Sequence, residues 1–430
     1  MPPENPMMRK SLVIFCDGTG QDGLISSSGQ NPEPKSNAKT YFTNILRLAR
    51  SVLPHSEFPD TRGMEQIVYY QSGVGSDADF SNNPEKGSQS LQRWGTAVAS
   101  KIRDVYAFIA ANYRPEDEIC LFGFSRGAYS VRKVSGLIEK IGLLSPDQMG
   151  MFYAYWQYLT DPKTGVKPPT PSFYVPIRVI GCFDTVGSVY PGVFTGKIID
   201  ALSIKDNALV PNVGVALHAL SFHENRSKFM CTLWDEATKK PGQIVEQVWF
   251  GGAHSDVGGG YKDHELADIS LFWMVEQLVA RKLVSINTKF IAACRSTNSH
   301  RVGWGAFNPH NAYYDLSAAQ KYIIGCEDRL AGKQITRNSI FHQSLRLSPL
   351  KLTYPKDMIT LDTLHKKFNS GWEPRFAELG KFEIKMKDEW SESPMFDEPR
   401  PTFEDESDIT DLLGLDDIDW FENSTSSVFA

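Results

Sequence analysis

The chain predicts an α/β fold: a mostly parallel sheet with helices on both faces and lid-like insertions. Three observations predict it. Apolar runs of strand length occur at 11–17, 66–71, 118–124, 177–184 and 244–251. Segments with apolar residues at helical spacing alternate with them, at 40–53, 91–113, 126–144, 147–159, 213–223 and 265–283. Alternation of this kind argues for a parallel sheet covered on both sides. The third observation is local: Gly123-Phe124-Ser125-Arg126-Gly127 joins the run Ile119-Cys120-Leu121-Phe122 to the helix that follows.

Taken in order, the first strand, Ser11-Leu12-Val13-Ile14-Phe15-Cys16, runs into Asp17-Gly18-Thr19-Gly20. A loop rich in Gly, Ser, Asn and Pro follows at 20–38, and a second at 72–90. Long loops inside a compact domain are commonly lids or binding loops. The third strand ends in the Gly-x-Ser-x-Gly turn, so sharp that side chains at its flanks would meet the neighbouring strand and helix. The helix start brings N–H groups and partial positive charge to the serine oxygen. Ser125 is therefore the expected nucleophile.

A serine nucleophile needs a base and an acid that orients the base, and in this strand–turn–helix setting they follow in the order Ser, Asp or Glu, His. Both belong at the carboxyl ends of strands, where parallel sheets form their sites. The strand at 177–184 ends in Asp184-Thr185-Val186-Gly187-Ser188, and the strand at 244–251 runs into Gly251-Gly252-Ala253-His254-Ser255-Asp256. His254 is the expected base and Asp184 the expected acid. His342 is the alternative base. Asp256 lies too close to His254 to orient it and is expected to cap the glycine turn or the helix after it. The oxyanion donors are expected to be the N–H of Arg126 and that of Gly18 or Thr19, where glycine lets the backbone approach a developing negative oxygen.

Asp17, at a strand end before Gly-Thr, raises an alternative: a phosphohydrolase nucleophile. Such enzymes carry a second aspartate two residues on, where this chain has Thr19. A non-catalytic interaction protein that retains the fold is the other alternative.

The motifs above occur together, in order, with His218-Ala219-Leu220, Glu224-Asn225-Arg226, His254-Ser255-Asp256-Val257-Gly258-Gly259-Gly260-Tyr261 and Asp268-Ile269-Ser270. This set resembles the uncharacterised α/β-hydrolase family that includes catalytic domains of type VI secretion phospholipase effectors, over about residues 10 to 350. The resemblance implies an α/β-hydrolase-like fold and a serine hydrolase whose triad falls on Ser125, Asp184 and His254. Family members often carry Asn where this chain has Gln21, and the effectors' large membrane-engaging module has little room here.

The 430 residues, 41% hydrophobic, suffice for a sizeable core. We expect a catalytic domain over 1–395, with insertions near 185–212 and 284–340, and an acidic tail at 396–430. Aromatics of the second insertion, Trp304, Phe307, Tyr313, Tyr314 and Tyr322, are expected either to line an acyl pocket or simply to pack. Residues 401–422 hold nine acids and no base, so the rest of the chain carries a formal +3 against an overall −6. Solvation of such a charged segment is the ordinary outcome. The six cysteines show neither Cys-x-x-Cys nor zinc spacing, and Cys16, Cys120 and Cys182 fall in expected core strands. No signal peptide or transmembrane segment is expected, which points to the cytoplasm and leaves peripheral membrane contact open. No basic stripe suggests nucleic acid. The expected function is hydrolysis of a small-molecule or lipid carboxylic ester through an acyl-enzyme, with no metal or cofactor.

Overall fold

The computed structural model describes residues 9–19, 42–73, 90–187, 202, 204–296, 302–349, 351–369 and 371–391. The elements in chain order are β1 (Lys10–Cys16), α1 (Asn44–Ser51), β2 (Glu65–Gln71), α2 (Ser90–Asn112), β3 (Glu118–Phe124), α3 (Arg126–Ile141) and α4 (Phe152–Thr160). They continue with β4 (Ile177–Phe183), β5 (Val213–Ser221), β6 (Ile244–Phe250), α5 (His254–Gly258), α6 (Glu265–Ala280), α7 (Thr288–Ala293) and α8 (Ala318–Ile324). The last are β7 (Ile340–Phe341), α9 (Leu361–Phe368), β8 (Arg375–Phe376) and α10 (Lys381–Asp388).

The strands form one sheet in the order β2-β1-β3-β4-β5-β6-β7-β8. Every neighbouring pair is parallel. The fold is the expected α/β-hydrolase-like architecture. Side-chain alternation feeds two cores, one on each face. Leu12 and Ile14 of β1 face a core built with Val131, Val134 and Leu137 of α3 and Ile102 and Val105 of α2. Val13 and Phe15 face the other, with Ile45 and Leu48 of α1 and Phe272 and Trp273 of α6. A third cluster, around Leu220, Phe222, Trp249 and Phe341, extends the packing towards β7 and β8.

The chain passes from β1 outward to β2 and then returns to β3 on the other side of β1. The switch point therefore lies between β1 and β3, where open parallel sheets form a crevice at their carboxyl edge. The loop starting at Asp17 and the turn at Ser125 both leave the sheet there.

One sequence expectation is corrected. The helix expected at 213–223 is instead strand β5, Val213–Ser221. Eight of its nine residues are buried, and a strand covered on both faces loses the alternation that marks a strand. The helix expected at 147–159 divides into a 3₁₀ turn at Met149–Met151 and α4. The loop expected at 20–38, most of that expected at 72–90 and the acidic segment at 401–422 lie outside the described residues.

Candidate active site

Ser125 sits between β3 and α3 with φ 56° and ψ −119°, a conformation that non-glycine residues seldom adopt. Tight packing imposes it. A Cβ at Gly123 would lie 2.5 Å from the backbone of Ala128, and one at Gly127 would lie 2.1 Å from the Cys16 carbonyl oxygen. Two hydrogen bonds tie the turn to the β4 loop: Ser125 N–H to Phe183 O at 3.0 Å, and Val186 N–H to Ser125 O at 3.2 Å. Arg126 opens α3, whose first-turn N–H groups lack intrahelical partners and point out of the helix start.

Asp184 follows β4 directly, fully buried, with φ 35°. Its Oδ2 accepts from His254 Nδ1 at 2.7 Å and from Arg329 Nη2 at 2.8 Å. Its Oδ1 accepts the Ser221 N–H at 3.0 Å. Burial alone would raise this carboxyl; the Arg329 guanidinium and His254 outweigh it and hold Asp184 well below the usual carboxylate range. Because the carboxylate can only accept, Nδ1 of His254 carries the proton and Nε2 is left as the basic nitrogen.

His254 is the first residue of α5, and its N–H donates to Glu224 Oε2 at 3.0 Å. Its ring lies 4.6 Å from that of Phe124, the residue before Ser125, and 5.2 Å from that of Phe229. Burial lowers the His254 pKa against the opposing pull of Asp184, so the imidazole is neutral at neutral pH. The structure thus brings together the strand ends that carry Asp184 and His254 and seats the imidazole against the elbow.

His342 lies elsewhere. Its Nε2 bonds Glu383 and its Nδ1 bonds Ser344, each at 2.8 Å, and it packs on Phe250 and Trp304. Asp256 accepts the Ala253 N–H at 2.8 Å, closing the start of α5, and binds His310 through Oδ1 at 2.6 Å. It does cap its own turn, as expected.

At the end of β1, Asp17 is buried and both its oxygens are engaged. Oδ1 accepts the Gly18 N–H, and Oδ2 accepts from Thr43 and Tyr70 hydroxyls, each at 2.7 Å. An aspartate held this way anchors its loop. The Gly18 N–H, one of the expected oxyanion donors, is donated to Asp17 Oδ1. The Arg126 side chain reaches Thr19 Oγ1 at 3.1 Å, linking the two loops. Among the described residues no group of three or more His, Cys, Asp or Glu side chains is arranged to hold a metal ion.

Of the aromatics in the second insertion, Trp304 packs into the core and Phe307 against Trp390, while Tyr322 projects into solvent. Glu224 and Arg226, to which sequence reasoning assigned no role although both stand in a quoted motif, form a two-pronged ion pair behind His254. Arg329 carried no sequence signal: it lies in a turn between α8 and β7, outside the quoted motifs.

Residues 10–277, well over half of the chain, match the model of the catalytic domain of Tle1-like phospholipase effectors of the type VI secretion system. The uncharacterized protein YEL023C of Saccharomyces cerevisiae is 28% identical over 244 residues, 51% of this chain and 32% of that protein. Among solved structures, the Tle1 effector bound to the VgrG spike is 20% identical with a TM-score of 0.36, over 60% of this chain and 52% of that one. An uncharacterized protein from Pseudomonas aeruginosa is 17% identical with a TM-score of 0.34, over 63% and 45%. The chain thus spans about a third of the yeast relative and about half of each solved structure. The chain belongs to the family of Tle1-like catalytic domains of type VI secretion phospholipase effectors.

Proposed function

We propose that the protein is a serine esterase acting on lipid esters, with Ser125 as nucleophile, His254 as base and Asp184 as the acid that orients it. The observation that carries this reading is the His254–Asp184 hydrogen bond of 2.7 Å beside a serine held at φ 56°. In the proposed reaction Nε2 of His254 takes the Ser125 hydroxyl proton as Oγ attacks the ester carbonyl. Asp184 stabilises the imidazolium formed. The N–H groups of Arg126 and Thr19 receive the oxyanion, with Gly18 shaping the approach. The imidazolium then protonates the leaving alcohol, and water, deprotonated by His254, releases the acid.

Membership of a phospholipase effector family supports a lipid substrate. A local feature supports a negatively charged headgroup. Arg126 and Arg226 both stack on Phe229, beside His254. Burial and then repulsion from Arg226 lower the Arg126 pKa, a strain that a bound anion relieves.

The test is a panel of soluble esters, neutral glycerides and anionic or zwitterionic phospholipid vesicles, assayed for released fatty acid with wild type and Ser125→Ala. Expected is hydrolysis of phospholipid above the other classes and its loss in the variant. Equal release by Ser125→Ala would reject the nucleophile, and activity confined to non-lipid esters would reject the substrate class.

A further inference from the structure

Asp184 has a counter-ion that the reaction proposed above does not by itself require. Its Oδ2 is shared between His254 and Arg329, and the Asp184 and Arg329 side chains are both fully buried. The guanidinium is fixed from several sides. Nη2 also donates to Ser221 Oγ at 3.0 Å, and Nη1 donates to Gln334 Oε1 at 2.9 Å. Gln334 is itself bonded to the backbone of Cys231, and its N–H and that of Ile335 return to the Arg329 carbonyl at 2.9 and 3.1 Å. Residue 329 lies beyond the segment 10–277 that marks the family.

A buried carboxylate facing only an imidazole would favour the imidazolium, because a desolvated negative charge raises the proton affinity of the neighbouring base. An imidazolium cannot accept the serine proton. A fixed cation on the far side of the carboxylate cancels that effect and leaves the hydrogen bond in place. We propose that Arg329 is a positioning residue of the catalytic site, a built-in counter-ion that aims the Asp184 carboxylate at His254 and keeps the imidazole neutral and ready under mildly acidic conditions. The inference rests on Ser125, Asp184 and His254 being the triad.

Other charged or titratable groups lie around the pair. From the β5–β6 connection, Glu224 reaches the His254 N–H and is itself paired with Arg226. From β5, His218 bonds Thr185, and burial pushes its pKa down to about 3, so it stays neutral. Arg132 of α3, near His218, donates to the Thr232 and Asp206 carbonyls. The Cys231 thiol, beside Arg329, is raised by burial to about 12 and stays protonated. Among the described residues, Arg329 is the guanidinium in direct ion-pair contact with the Asp184 carboxylate.

The test compares the full-length chain with Arg329→Gln, which removes the charge and keeps hydrogen-bonding capacity, and with Arg329→Lys, which keeps the charge. Two quantities are read across pH: the His254 imidazole titration by NMR, and the rate of fluorophosphonate labelling. In Arg329→Gln both midpoints should move up by about one pH unit or more. Labelling below the new midpoint should then fall about tenfold, with recovery at higher pH. In Arg329→Lys the midpoint should stay near that of wild type while the rate falls evenly. An unmoved His254 midpoint in Arg329→Gln overturns the proposal. So does a midpoint in Arg329→Lys displaced by a full unit, which decides the matter even if the glutamine variant fails to fold. A wild type unlabelled at Ser125 would instead sink the hydrolase reading, and the NMR titration would still report on the counter-ion.

Discussion

At the scale of single residues, the proposed chemistry rests on three side chains from three strand ends, with a fourth proposed to tune them. Asp184→Asn keeps the shape of the site and lets the amide pair with the wrong imidazole tautomer; the turnover should fall about 10⁴-fold. His254→Ala should cost nearly as much as loss of Ser125, since members of a triad act as a unit. Because burial lowers the His254 pKa, the acid limb of kcat/KM should lie below the ordinary histidine value of about 6.5. Activity is lost as pH falls through that lowered value, where the base becomes protonated. A limb at or above the ordinary value would contradict this electrostatic picture. Asp184 and His254 were legible in the sequence because each follows an apolar run, and a residue leaving the carboxyl end of a parallel strand has only one edge of the sheet to occupy. Arg329 was not legible. Its position is set by tertiary contacts with Ser221, Gln334 and Asp184, which are 108, 5 and 145 residues away in sequence.

At the scale of elements, the elbow depends on how closely α3 approaches β1. Gly127→Ala would place a methyl group 2.1 Å from the Cys16 carbonyl oxygen, a backbone atom that cannot swing aside. The expected result is a loss of about 1–3 kcal/mol in urea unfolding, the usual cost of overpacking, together with loss of esterase activity. Wild-type activity and stability in that variant would show that the turn is looser than its geometry implies. Five strands were legible as apolar runs. β5 was misread because nearly its whole length is buried, so neither face is marked as polar. β7 and β8 are two residues each, too short to leave a pattern. β7 forms because Ile340 and Phe341 pair with Val248 and Trp249 of β6, whose hydrogen-bonding edge would otherwise be open, and β8 pairs in turn with β7.

At the scale of the whole molecule, buried neutral histidines make the fold sensitive to acid. Burial pushes His218 to about 3 and His223 to about 4. In the unfolded chain both titrate near the ordinary value of about 6.5. Between those limits the unfolded state binds more protons, so stability is full above about pH 6.5 and declines as pH falls towards the folded-state values. The slope is about 1.4 kcal/mol per pH unit for each histidine. Urea midpoints measured from pH 7 to pH 4.5 should fall steadily, and the fall should lessen in His223→Asn. A flat profile would mean that these imidazoles are accessible in the native state. The central claim for the molecule is that one serine on the β3–α3 turn does covalent chemistry. Intact-mass analysis after fluorophosphonate treatment tests it most directly. Expected is a single adduct on the wild-type chain, localised to Ser125, and none on a folded Ser125→Ala. Full labelling of Ser125→Ala, or ester hydrolysis by a wild type that takes no label, would contradict it.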